Sequence, residues 1–151
     1  MIKDAIRQVT GGGRLSKEQA ADAMDVIMSG EAEDAQIGAL VATLAMRGET
    51  EEEIAGFAES MRRHARKVEL PNGKPAVDVV GTGGGGPATF NISTAAAFVT
   101  AGAGVPVAKH GNRAITSKCG AADVLEGLGV NIELEPDMVS ECIDRTGIGF
   151  M

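Results

Sequence analysis

A chain of 151 residues, 44% hydrophobic and 23% charged, has room for one domain with a core, or a small domain plus part of another, and the composition of an ordinary soluble globular protein. Its formal net charge of −7, with no Trp or Tyr and four Phe, opposes non-specific binding to nucleic acid or an anionic membrane and removes the stacking surface that single strands need. No secretory signal or membrane span is legible, and Cys119 and Cys142 fit neither a disulfide framework nor a metal-ligand spacing; the expectation is a cytoplasmic protein with two thiols.

The first 70 residues carry helical patterns only. Ile2, Ala5, Ile6 and Val9 recur at helical spacing until Gly11-Gly12-Gly13 stops them. Ser16 with Gln19 is a capping box opening a second helix, with Ala20, Met24 and Ile27 inward and Gly30 past its end. Ile37, Leu40, Val41 and Leu44 form a third stripe, ended by Gly48. Thr50 with Glu53 repeats the box, and this fourth helix suits its dipole, with Glu51 to Glu53 first and Arg62, Arg63, Arg66 and Lys67 last. Ile54, Phe57, Ala58 and Met61 are expected to face the core, and Met24, Met28, Met46 and Met61 to fill it. His64 reads as a surface residue near a helix C-terminus.

Pro71-Asn72-Gly73 breaks the pattern, so a helical domain is expected over residues 1–72 and a second domain over 73–151. Residues 76–80 read as a strand, 93–103 as a small-residue helix and 105–108 as a strand. Residues 121–128 read as a helix, 130–134 as a strand and 136–146 as a helix with Pro at its first position. Strands alternating with helices predict an α/β domain with a mostly parallel sheet. Gly149-Phe150-Met151 begins another strand, and so thin a sheet is expected to belong to an incomplete α/β domain, truncated at its C-terminus.

Between residues 79 and 108 there is no Asp, Glu, Lys or Arg. Gly81, Gly83 and Gly86 formally satisfy G-x-G-x-x-G, but five residues separate the third Gly from the helix. The next strand also ends in Lys109-His110, where a dinucleotide site would carry an acidic residue. A P-loop fails because no Lys-Ser or Lys-Thr follows. What remains is the feature those motifs share, in which glycine amides and a helix N-terminus turn toward an anion. Asn91, Ser93 and Thr94 lie at that terminus and can donate hydrogen bonds or offer an oxygen to a metal. Lys109, Arg113 and Lys118 gather after the next strand, where ligands of open α/β sheets bind. The pattern predicts a polyphosphate cradle with two walls.

The segments DVVGTGGGG, TFNIST and VAKHGNRAITSKCGAADVLEGLGV together resemble the anthranilate phosphoribosyltransferase family, over essentially the whole chain. The resemblance implies a nucleoside-phosphorylase-type fold, with a small helical domain that dimerises and a larger α/β domain. It implies transfer of phosphoribosyl from phosphoribosyl pyrophosphate (PRPP) to the amine of anthranilate with Mg²⁺, in tryptophan biosynthesis, by a cytoplasmic homodimer. By position, Gly81, Thr82, Gly83 and Gly84 correspond to the loop around the PRPP diphosphate, and Asn91, Ser93 and Thr94 to the phosphate-binding turn, Ser93 also ligating Mg²⁺. Lys109 corresponds to the lysine on the diphosphate, His110 and Asn112 line the anthranilate side, and Arg113 closes that wall. No protein nucleophile is implied.

The chain departs from that pattern in three places. Gly85 stands where the family loop usually has Asp, Ala121 stands where a hydroxyl residue is usual, and the family's second half is absent. That half carries an anthranilate-binding Arg and an Asp-Glu pair for Mg²⁺, so the 151-residue chain alone is expected to show little or no turnover. A pyrimidine nucleoside phosphorylase is the first alternative, disfavoured by KHGNR in place of a KHS-type motif; a non-enzymatic nucleic-acid-binding relative is the second, disfavoured by the acidic balance.

Overall fold

Capping, small residues and one proline set most element boundaries. The computed structural model describes residues 1–70, 73, 75–81, 90–114 and 119–151. Among them are α1 (Ile2–Thr10), α2 (Lys17–Met28), α3 (Asp34–Arg47), α4 (Glu51–His64), α5 (Ile92–Gly102), β1 (Val107–Lys109), α6 (Ala121–Gly127), α7 (Pro136–Thr146) and β2 (Ile148–Phe150). The chain divides into two compact units, Met1–Ala65 and Arg66–Met151.

In the first unit both sequence-predicted boxes form. Ser16 Oγ accepts from Gln19 N–H at 3.2 Å while Gln19 Oε1 accepts from Ser16 N–H at 2.9 Å. Thr50 and Glu53 exchange the same pair at 3.2 and 2.8 Å. The core joins Ile2, Ala5 and Val9 of α1 and Leu15 to Ala20, Ala23 and Val26 of α2 and Leu40 and Leu44 of α3.

The inward face of α4 differs from expectation. Its buried residues are Glu53, Gly56 and Ser60, and of the four expected inward Phe57 packs against the core, whereas Ile54 and Met61 are 56% and 50% exposed and Ala58 is also exposed. The cause is a close crossing with α2: a Cβ added at Gly56 would lie 2.2 Å from Lys17 O and 2.8 Å from Ala20 Cβ. Small residues let the two backbones approach, and the approach fixes which face turns in. Polar bonds then satisfy that face, Ser60 Oγ donating to Asp25 and Arg63 reaching Asp25 Oδ2 at 2.7 Å. Met28 and Met46 are likewise exposed, at 40% and 91%, so of the four methionines expected to fill the core only Met24 lies outside the exposed class. His64 Nδ1 lies 3.1 Å from Ser60 O and 3.5 Å from Asp25.

In the second unit β1 and β2 run parallel, with Val107 opposite Ile148 and Lys109 opposite Phe150. On the other edge of β1, Val77 makes a single parallel bridge to Val107. β1 therefore lies between two neighbours, as an α/β sheet requires. Pro136 opens α7, and Gly147 closes it with a left-handed φ of 79° that favours glycine. The expected strand over 130–134 is absent: Val130 N–H returns to Leu125 O at 2.9 Å, and Asn131 Oδ1 accepts from Glu133 N–H at 3.0 Å. These local bonds take up donors that a ladder would need. The expected strand over 76–80 is reduced to the bridge at Val77.

Candidate functional site

The site is built where β1 ends. Lys109 alternates inward with Val107 and is 1% exposed, so its stem is packed and its ammonium must find a partner inside. Lys109 Nζ donates to Val79 O at 2.7 Å. One residue further, His110 N–H donates to Asp78 Oδ1 at 3.1 Å. Both bonds reach the segment leading into Gly81, so the cationic end of β1 stands beside the entrance of the glycine loop. Burial pulls the Lys109 pKa below its usual value, and the Asp78 carboxylate opposes the shift. Lys109 has three donors, and one is matched to a protein acceptor among the described residues. Gly81 N–H has no protein acceptor among them. Thr82, Gly83 and Gly84, expected to complete the loop, lie outside the described residues, as do Gly85 and Lys118.

The N-terminus of α5 lies within the uncharged run. Asn91 is the N-cap and makes no side-chain capping bond, and Ala95 N–H is the first to return, to Asn91 O at 3.0 Å. The first-turn N–H groups of Ser93 and Thr94 therefore point out of the helix without an intrahelical acceptor. Thr94 is 3% exposed and its Oγ1 is buried without a hydrogen-bond partner. An orphaned buried hydroxyl beside free amides is costly unless a ligand or water completes it. No hydrogen bond among the described residues joins Ser93 or Thr94 to Lys109.

Arg113 is placed differently from Lys109. Its guanidinium takes Glu126 of α6 in a two-pronged pair at 2.6 and 3.1 Å, with Asp123 at 3.6 Å. Both bonding and charge from Glu126 hold the guanidinium protonated. Asp123 Oδ2 accepts the N–H groups of Gly120 at 2.7 Å and Ala114 at 2.8 Å, and these bonds lower its pKa. Gly120 fits because a Cβ there would sit 2.5 Å from Ala114 N. His110 and Asn112 are exposed. Asp78, Asp123 and Glu126 escape sequence reasoning because a single carboxylate carries no spacing signal; the one available cue was Asp123, three residues into a helix whose N-cap is Gly120.

Among the described residues no group of three or more His, Cys, Asp or Glu could hold a metal ion. Ser93 offers one hydroxyl oxygen at the α5 terminus. Such a donor set fits Mg²⁺ that keeps several waters and rides on substrate phosphates, not a cation caged by protein. In the helical unit, a concavity of about 680 Å³ is lined by residues including Asp25, Arg63 and His64, and there Arg63 and His64 lie 2.7 and 3.5 Å from the Asp25 carboxylate.

Residues 3–65 match the helical bundle domain of a glycosyl transferase family, and residues 73–151 match the a/b domain of the same family. Curated relatives include the anthranilate phosphoribosyltransferases of Thermomicrobium roseum, 58% identical over 100% of this chain and 43% of the relative, and of a Roseiflexus species, 57% identical over 99% and 43%. Among solved structures, anthranilate phosphoribosyltransferase from Thermus thermophilus is similar with a TM-score of 0.83 and 43% identity, over 98% of this chain and 45% of that one. The enzyme from Saccharomyces cerevisiae in complex with PRPP and Mg is similar with a TM-score of 0.82 and 29% identity, over 99% and 46%. The chain thus spans less than half the length of these relatives.

Proposed function

The chain belongs to the glycosyl transferase family whose helical bundle domain precedes an a/b domain, and from that premise we propose that the protein transfers phosphoribosyl from PRPP to the amine of anthranilate, releasing pyrophosphate, in tryptophan biosynthesis. The observation that carries this reading is the buried Lys109 ammonium on Val79 O beside the start of the glycine loop. Departure of pyrophosphate leaves oxocarbenium character on the ribose, so catalysis rests on neutralising the leaving group and positioning the amine.

In this reading Lys109 bonds the diphosphate, and the amides of Gly81, Thr82, Gly83 and Gly84 wrap it. Asn91, Ser93 and Thr94 donate to phosphate at the α5 terminus, where the orphaned Thr94 Oγ1 gains a partner. His110 and Asn112 line the anthranilate side; Arg113, tied to Glu126, braces that wall through its stem. Mg²⁺, when bound, neutralises part of the diphosphate charge, with Ser93 among its oxygen donors. A helical domain over 1–72, an α/β domain over 73–151, a homodimer through the helical domain and a cytoplasmic setting complete the proposal.

Calorimetric titration of the chain with PRPP and Mg²⁺ is the test. Saturable heat that vanishes with ribose 5-phosphate lacking the diphosphate supports the assignment. Absence of PRPP binding together with phosphorolysis of thymidine or uridine would replace it with the nucleoside phosphorylase reading.

A further inference from the structure

The pairing between the segment at Val77 and β1 ends in an unusual way. Val77 N–H donates to Pro106 O at 2.9 Å and Ala108 N–H to Val77 O at 3.0 Å, the normal step of a parallel ladder. The next step of that register would set Val79 opposite Lys109, with His110 N–H donating to Val79 O. Neither backbone bond of that step is present among the described residues. Two side chains replace it in opposite directions: Lys109 Nζ takes Val79 O at 2.7 Å, and Asp78 Oδ1 takes His110 N–H at 3.1 Å. The backbone pairing thus stops two residues before Gly81.

We propose that Asp78 is a positioning residue: with Lys109 it forms a reciprocal side-chain stitch that ends the sheet at Val79, aims the chain into the glycine loop and supports the charge on the buried Lys109. Among the described residues, Asp78 is the charged group that acts on Lys109. β1 brings no other titratable group, α5 and β2 contain none, and segment 75–81 contributes Asp78 only. His110, next along the chain, is exposed. A lysine 1% exposed, held by one neutral carbonyl, loses solvation for its charged form, and a nearby carboxylate restores part of it. Asp78 matters to the reaction only through the diphosphate role proposed above for Lys109.

Asp78→Asn keeps an oxygen for His110 N–H and removes the charge, and Asp78→Ala removes both. Lysine side-chain NMR titration of the whole chain reads the ammonium directly. Lys109 is expected to titrate below the other lysines, lower still in D78N, and the His110 amide resonance is expected to shift in D78A but not in D78N. An unchanged Lys109 midpoint in D78N overturns the inference, because a purely structural Asp78 would leave that midpoint alone. Mg²⁺-pyrophosphate titrations form the second arm. D78N is expected to bind like the parent at neutral pH and to lose binding at a lower alkaline pH than the parent does, in step with its lower Lys109 midpoint. A parent that fails to bind pyrophosphate at any pH removes the diphosphate role of Lys109, and the NMR midpoint then still decides the stitch.

Discussion

Glu53 and Lys109 are both fully buried charges, yet their surroundings give them opposite tasks. Glu53 accepts from Leu15 N–H at 2.8 Å, Thr50 N–H at 2.8 Å and Arg47 Nη2 at 2.7 Å. Burial opposes its ionisation, but the bonds from Leu15, Thr50 and Arg47 outweigh burial and lower its pKa from 4.5 to about 2. A carboxylate depressed on folding contributes stability that is complete above its unfolded value and lost as pH falls toward the folded one. The contribution at neutral pH is about 3 kcal/mol. Urea unfolding of Glu53→Gln should therefore show a loss of about 3 kcal/mol near neutrality that shrinks as pH drops through the window from 4.5 to about 2. A pH-independent loss would mean that packing, not charge, makes Glu53 matter. Lys109 has one neutral partner, so Lys109→Met trades a poorly compensated charge for an apolar side chain of similar length. Its stability should stay within about 1 kcal/mol of the parent while PRPP binding falls at least about tenfold. A variant that unfolds would recast the lysine as structural.

Helix α4 separates what periodicity reveals from what packing decides. Its capping box and flanking charges were legible, and so were the proline opening α7 and the glycine closing α3, because each acts through bonds within a few residues. The buried face of α4 was legible only at Phe57, which packs against the core. The apolar arc of Ile54, Ala58 and Met61 wins a count of hydrophobic residues, yet the partner α2 offers Lys17 O, Ala20 and Ala21 at a separation only Gly56 tolerates. Segment 130–134 is a similar case, its apolar alternation losing to local bonds at Val130 and Asn131. The same division runs through the site: the glycine run and KHGNR stand out as patterns, but Asp78 and Glu126 gain meaning only from partners thirty-two and thirteen residues away. Two alanine substitutions test the packing claim. Gly56→Ala should destabilise by about 1–3 kcal/mol through overpacking, although alanine is the better helix former by about 1 kcal/mol. Gly38→Ala in α3, where an added Cβ meets nothing within 4 Å, should stabilise by about 0.5–1 kcal/mol. Equal signs in thermal melts of the two variants would refute the close crossing.

At the scale of the molecule, a chain of net charge −7 keeps residues 79–108 free of charge and sets Lys109 immediately after them. In the proposed reading, a polyanion with Mg²⁺ meets repulsion from the net charge of the chain and attraction at the end of β1. Every group assigned to the leaving diphosphate, from Gly81 through Thr94 to Lys109, falls inside this chain. The matched relatives, however, continue for more than half their length beyond the shared region. Ground-state capture of the leaving group and acceleration of its departure are separable, because only interactions stronger in the transition state raise turnover. The 151-residue chain is accordingly expected to bind PRPP with Mg²⁺ at roughly micromolar to millimolar affinity, weakening with added salt as screening demands. Its conversion of anthranilate, followed by loss of anthranilate fluorescence, should lie at least about a thousandfold below that of a full-length relative. Turnover equal to that relative would show that the chemistry needs nothing outside these residues, and salt-insensitive binding would show that Lys109 and the α5 terminus do not hold the diphosphate.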